Sequence, residues 1–92
     1  MPPITNAVRP RLANKARLKW DAVREKHLLL FPEGVLVLNN TAHDVLALCD
    51  GQRHVGEIVK TLAEQYQSDA IEGDVKDILG RLLEKKLVTT DD

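Results

Sequence analysis

Ninety-two residues, 43% hydrophobic and 29% charged, make one small domain with a modest core. Trp20, Phe31 and Tyr66 are its only aromatic residues, so that core must be built of Leu, Val and Ile. The net charge of −1 conceals an asymmetry: residues 1–20 carry five cations and no acid, and the other 72 residues sum to −6, which argues against a nucleic-acid footprint.

The first residues hold no apolar run of the secretory kind, and no stretch approaches the ~20 apolar residues of a membrane span. Cys49 is the single cysteine and cannot form an intramolecular disulfide. Together these point to the cytoplasm.

Residues 1–14 contain three prolines and no sustained periodicity. They read as a flexible or loosely docked tail, and residues 15–90 as the domain. Ala16 to Asp21 alternates apolar and polar with period two, a half-exposed strand with Leu18 and Trp20 on one face. Ala22 to Lys26 is a charged loop. His27 to Phe31 is a continuous apolar run and a second, central strand. Phe31-Pro32-Glu33-Gly34 fits a type I turn. Val35 to Leu38 then returns antiparallel as the third strand, with strand order 1-2-3 from the short connections.

Three helices are expected next. The first begins at Asn40 or Thr41, with Thr41 and Asp44 in a capping box. It carries Ala42, Val45, Leu46 and Cys49 on one face and stops at Asp50-Gly51. The second runs from about Val55 to Tyr66, with His54 a poor cap. The third runs from Ile71 or Gly73 to Lys86, with Val75, Ile78, Leu79, Leu82 and Leu83 as its apolar stripe. Thr89 to Asp92 should fray. The fold class is α+β: a three-stranded antiparallel sheet followed by three helices, a winged-helix-like layout with the sheet first.

Chemistry-bearing patterns are sparse. His27, His43 and His54 show no metal-ligand spacing with Cys49, so no metal and no cofactor is expected. Cys49 lies on an apolar stripe and reads as a small buried hydrophobe. There is no phosphate-binding glycine loop and no nucleophile–base set, so an enzyme is not expected. The cations of the third helix are interleaved with Asp74, Asp77 and Glu84, which favours a solvated face over a DNA recognition helix. A winged-helix DNA binder remains the rival reading.

The third strand has the functional consequence. Val35 to Leu38 carries none of the charges or prolines that blunt natural sheet edges. Either a second copy, the tail or an exchanged strand covers it, or a partner peptide adds to it as a strand. Both parities of residues 27–31 and 35–38 are largely apolar, so a homodimer, with or without strand exchange, is also expected.

Several short pieces in order point further: Arg9-Pro10-Arg11-Leu12, Ala16 to Asp21, Leu29 to Gly34, Leu38-Asn39 with Thr41-Ala42, Leu48 to Gly51, and Glu57-Ile58-Val59. Together they resemble the PqqD family, small peptide chaperones of pyrroloquinoline quinone biosynthesis, from about Arg9 to Val88. The resemblance implies a RiPP recognition element, the domain that captures leader peptides of ribosomal natural products. It implies binding of the precursor peptide PqqA and delivery to the radical S-adenosylmethionine enzyme PqqE, which cross-links a Glu and a Tyr of that peptide. It also implies that the leader adds against the third strand and enters a groove beside the third helix. On this sequence those positions are Val35, Leu36, Val37 and Leu38, facing Val75, Ile78, Leu79 and Leu82, with Arg81 and Lys85 at the rim. The sequence departs from the family pattern at His54, where a Ser or Thr cap is expected, and at Lys86, where a Gly is.

Overall fold

The computed structural model describes residues 5–90. Its elements in chain order are β1 (Pro10–Leu12), β2 (Arg17–Asp21), β3 (Lys26–Phe31), β4 (Gly34–Leu38), α1 (Asn40–Ala47), α2 (Val55–Tyr66), α3 (Ile71–Glu84) and β5 (Val88–Thr90). The architecture is the expected α+β one, with strand order β2-β3-β4 in the main sheet.

Two hairpins build that sheet. At the first turn the Asp21 carboxylate accepts from the backbone N–H groups of Val23 and Arg24, at 3.1 and 3.2 Å. An aspartate that imitates a backbone turn in this way fixes where the loop begins. At the second turn only Pro32 and Glu33 separate the paired residues Phe31 and Gly34. One face of the sheet packs on the helices: Leu18, Leu29, Phe31, Leu36 and Leu38 all meet the core. That core is aliphatic, with Leu29, Val45, Ile58, Leu62, Val75, Leu79, Leu87 and Val88 among its most buried members.

The helices start at Asn40, Val55 and Ile71, within the expected bounds, but their first turns are capped differently. Asn39, not Thr41, caps α1, its side-chain oxygen accepting from Ala42 N–H at 2.8 Å. At α2 the Glu57 carboxylate accepts from the His54 backbone N–H at 3.0 Å. Two further acceptors come from far away in sequence: Val55 N–H donates to the Val8 carbonyl (2.9 Å) and Gly56 N–H to the Asn6 carbonyl (3.1 Å). The orphan donors of a helix start are thereby satisfied without a Ser or Thr cap.

The main correction concerns the two ends of the chain. Pro10–Leu12, placed in the tail by the sequence, pairs antiparallel with Val88–Thr90 to form a second sheet. Thr89 and Thr90 are therefore in a strand rather than frayed, and Asp91 and Asp92 lie outside the described residues. Gly51 N–H donates to the Pro10 carbonyl at 3.1 Å, and Leu12 N–H to the Cys49 carbonyl at 3.3 Å. Gly51 has φ +80, and a Cβ there would sit 3.3 Å from the Arg11 side chain. The glycine thus serves the turn and the close passage of β1 together.

Candidate functional site

The backbone of β4 is the starting point. Among the described residues β4 has β3 on one side and no strand on the other. The register fixes which of its groups are free. A two-residue hairpin closes on a pair that exchanges backbone bonds, so Phe31 and Gly34 are such a pair, and pairs alternate from there. Leu36 and Leu38 then bond Leu29 and His27, while Val35 and Val37 turn their N–H and C=O groups outward. The other hairpin, closed by Asp21 and Lys26, gives the same parity for β3, since Lys26, Leu28 and Leu30 bond toward β2. The sequence left this parity open.

Side chains follow the same alternation. Leu36 and Leu38 are half-buried on the helix side and pack on the core. Val35 and Val37 are on the opposite face, 55% and 57% exposed. Where the chain leaves β4 for α1, a shallow cleft of ≈ 260 Å³ lies between Asn39, Thr41 and the α3 residues Asp74, Asp77, Ile78 and Arg81.

Of the expected groove residues on α3, Ile78 and Arg81 line this cleft. Val75, Leu79 and Leu82 do not: they are 0%, 0% and 6% exposed and belong to the core. The apolar stripe read as one groove wall is the stripe that faces inward. The face beside β4 lies around the helix from it, where Asp74, Asp77 and Arg81 recur at helical spacing. Lys85, the C-cap of α3, is exposed and does not line the cleft. Sequence reasoning missed Asn39 and Thr41 at the start of α1, and Asp74 and Asp77, which with Arg81 repeat every three or four positions along α3.

Charge on α3 is internally paired. Arg81 meets Asp77 at 3.1 Å and Lys76 meets Glu72 at 3.0 Å, each one turn apart. These pairs support a solvated helix face and leave little for a phosphate backbone.

At the same end of the sheet, where Trp20, His27 and Leu38 stand side by side, a second group of side chains ties β3 to α1 and α2. The rings of His27 and His43 stack with centroids 3.7 Å apart, and Trp20 lies tilted on His27 at 4.7 Å. Asp44 accepts from the Tyr66 hydroxyl and from Gln65 at 3.2 Å, and sits 3.1 Å from His43 Nδ1. Burial pushes the Asp44 carboxyl up, but Tyr66, His43 and Gln65 together hold it below the usual carboxylate range. Burial, with the Asp50 carboxylate beside it, pushes the Cys49 thiol up to about 12. Cys49 Sγ donates to the Val45 carbonyl at 3.2 Å, so it is a packed hydrophobe rather than a nucleophile. Among the described residues no three of His, Cys, Asp and Glu gather as metal ligands, and no helix is long and apolar enough to cross a membrane.

Residues 26–88 match the family model "Coenzyme PQQ synthesis protein D (PqqD)". A PqqA binding protein of Methylococcus capsulatus is 40% identical over 63 residues, 68% of this chain and 68% of that relative. A PqqA binding protein of Klebsiella pneumoniae is 38% identical over 74 residues, covering 79% of this chain and 80% of that relative. The solution NMR structure of the PqqD truncation of Methylobacterium extorquens PqqCD, described as a functional, stand-alone RiPP recognition element, superposes with a TM-score of 0.79 at 37% identity. The match covers 94% of each chain.

Proposed function

Because this chain belongs to the PqqD family, we propose that it binds the precursor peptide PqqA as an added strand along β4 and presents it to the radical S-adenosylmethionine enzyme PqqE. It acts as an adaptor and performs no chemistry of its own. The carrying observation is the edge itself: Val35 and Val37 offer outward N–H and C=O groups with no strand beyond them among the described residues. Main-chain bonds to these groups would supply affinity. Alternate peptide side chains would fall toward Ile78 and Arg81 on one side and toward Val35 and Val37 on the other, which would supply register.

An extended peptide held this way is kept from closing on itself, and its modified segment is displayed beyond the sheet. The names of the relatives support the peptide as ligand, since two of them are PqqA binding proteins. Titration of labelled protein with PqqA peptide tests the reading. Amides of Gly34 to Leu38, Ile78 and Arg81 should shift, with those of Asn39 and Thr41 at the cleft, and those of β2 and α2 should move little. Shifts confined to α2 would sink the site.

A further inference from the structure

We propose that the helix-free face of the β2-β3-β4 sheet is the docking surface for the peptide-modifying enzyme, which meets it with an apolar ridge bordered by carboxylates. The inference rests on the adaptor reading above, because it assigns the second surface such an adaptor needs.

The register lays this face out in two rows. Arg17, Leu30 and Val35 stand side by side across the three strands, and Lys19, Leu28 and Val37 stand beside them. Leu28 is buried among its neighbours in the sheet, Leu30 is half-buried, and Val35 and Val37 are exposed; none of the four joins the cluster under the helices, although every apolar residue of the opposite parity in β3 and β4 does. The described part of the N-terminal segment does not cover them, since Val8 and Leu12 pack on the core cluster instead. An apolar stripe that runs to a sheet edge, with Val35 and Val37 more than half exposed, is the kind of patch that marks a partner.

Charge decides which partner. Arg17 and Lys19 are exposed and have no salt bridge among the described residues. Lys15 borders the same face, 3.8 Å from Glu33 at the turn, and the Asp21 carboxylate at the other end is 3.8 Å from Arg24. The balance on the face is positive, while residues 21–92 sum to −6. An acidic protein surface is therefore repelled by most of the molecule and attracted here. Complementary charge of this kind orients a partner before apolar contact forms.

The same face adjoins the peptide edge. A strand added to β4 would place every second side chain beside Val35 and Val37, extending the stripe by one row. The enzyme would then bind the loaded adaptor more tightly than the empty one, and by linkage it would tighten peptide binding by the same factor.

The test uses the full chain, PqqA peptide and purified PqqE, with the double variants Arg17→Glu/Lys19→Glu and Arg17→Gln/Lys19→Gln. The charge reversal should weaken PqqE binding by about tenfold or more, the neutral pair by less, and raising salt should narrow the gap. PqqA affinity should stay within about twofold, since neither residue is on the peptide edge. Unchanged PqqE affinity in the reversed variant would overturn the proposal, as would PqqA affinity falling in step with it. So would a concentration-dependent dimer of the wild type that the reversal dissociates while PqqE still binds, which would give the face to a second copy. Failure of PqqA to bind the wild type would strike the adaptor reading instead, and is read in a separate titration.

Discussion

The two edges of one three-stranded sheet are built to opposite specifications. β2, Arg17-Leu18-Lys19-Trp20-Asp21, alternates charge with apolar residues; β4, Gly34-Val35-Leu36-Val37-Leu38, has no charge at all. Both expose a row of unpaired backbone groups, and by the register the outward ones are those of Leu18 and Trp20 on β2 and of Val35 and Val37 on β4. On β2 the outward groups are flanked by Arg17, Lys19 and Asp21, a pattern that resists further pairing. On β4 nothing among the described residues stands in the way, and the α3 cleft with Ile78 and Arg81 lies at its end. One edge is guarded and the other is left available, so the candidate site is defined as much by what β4 lacks as by what it carries.

Proline scanning should break this comparison if it is wrong. Leu36→Pro removes an inward donor to Leu29 and a half-buried side chain together. It should destabilise by about 3 kcal/mol and lower Tm by more than about 10 °C, read by circular dichroism. Val37→Pro removes an outward donor and should lose no more than about 1 kcal/mol, because edges tolerate proline there. It should nonetheless weaken PqqA at least about tenfold, since the lost donor belongs to the added strand. Val37→Ala isolates the side-chain share. Trp20→Pro is the matching change on β2 and should leave PqqA affinity within about twofold. Equal loss of binding from Trp20→Pro and Val37→Pro would mean that the edges are not distinguished.

Acid should act on both edges alike, because the Asp44 group anchors the end of the sheet rather than either side. The folded Asp44 pKa is depressed from its ordinary 3.8. The stability it contributes is therefore present above that value and is lost as pH falls through the lower folded one. Asp44→Asn should be less stable at neutral pH by on the order of 1 kcal/mol, and the difference should vanish in strong acid, as measured by urea midpoints across pH. A difference that grows on acidification would reverse the sign and refute the assignment.

What was legible in the sequence follows from range. The β2–β4 strands and all three helices declare themselves through local periodicity and turn chemistry, and the edge character of β4 through missing charge. Three features were hidden because their causes are distant in sequence. Pro10–Leu12 carries no strand pattern, and its partner Val88–Thr90 is nearly the whole chain away. The start of α2 lacks a good side-chain cap because the Asn6 and Val8 carbonyls do that work. The lining of the cleft was hidden because Val75, Leu79 and Leu82, buried in the core, are the loudest signal on α3, and a loud apolar stripe marks a core. The cleft beside it is lined by Asp74, Asp77 and Arg81, which local periodicity cannot tell from ordinary solvent exposure.

The smallest expected effect separates stability from binding, which the edge comparison requires. Lys86 has φ 60, a left-handed conformation, and it follows the last turn of α3. Leu87 N–H donates to the Leu82 carbonyl at 2.9 Å and Lys86 N–H to the Leu83 carbonyl at 3.0 Å. That pair of bonds is the Schellman closure, in which glycine is the favoured residue at the left-handed position. A side chain there costs roughly 1–2 kcal/mol of backbone strain, while glycine loses more entropy on folding, by roughly 0.5–1 kcal/mol. Lys86→Gly should therefore gain no more than about 1 kcal/mol and raise Tm by at most several degrees. Lys86→Ala keeps the Cβ and removes the charge, so it controls for lost cation interactions and should gain nothing. Because Lys86 lies outside both β4 and the α3 cleft, PqqA affinity should be the same in all three proteins. If Lys86→Gly is no more stable than Lys86→Ala, the strain at this turn is relieved in another way; if it is more stable and also binds peptide differently, the peptide senses global stability, and the proline comparison must be repeated in the stabilised background.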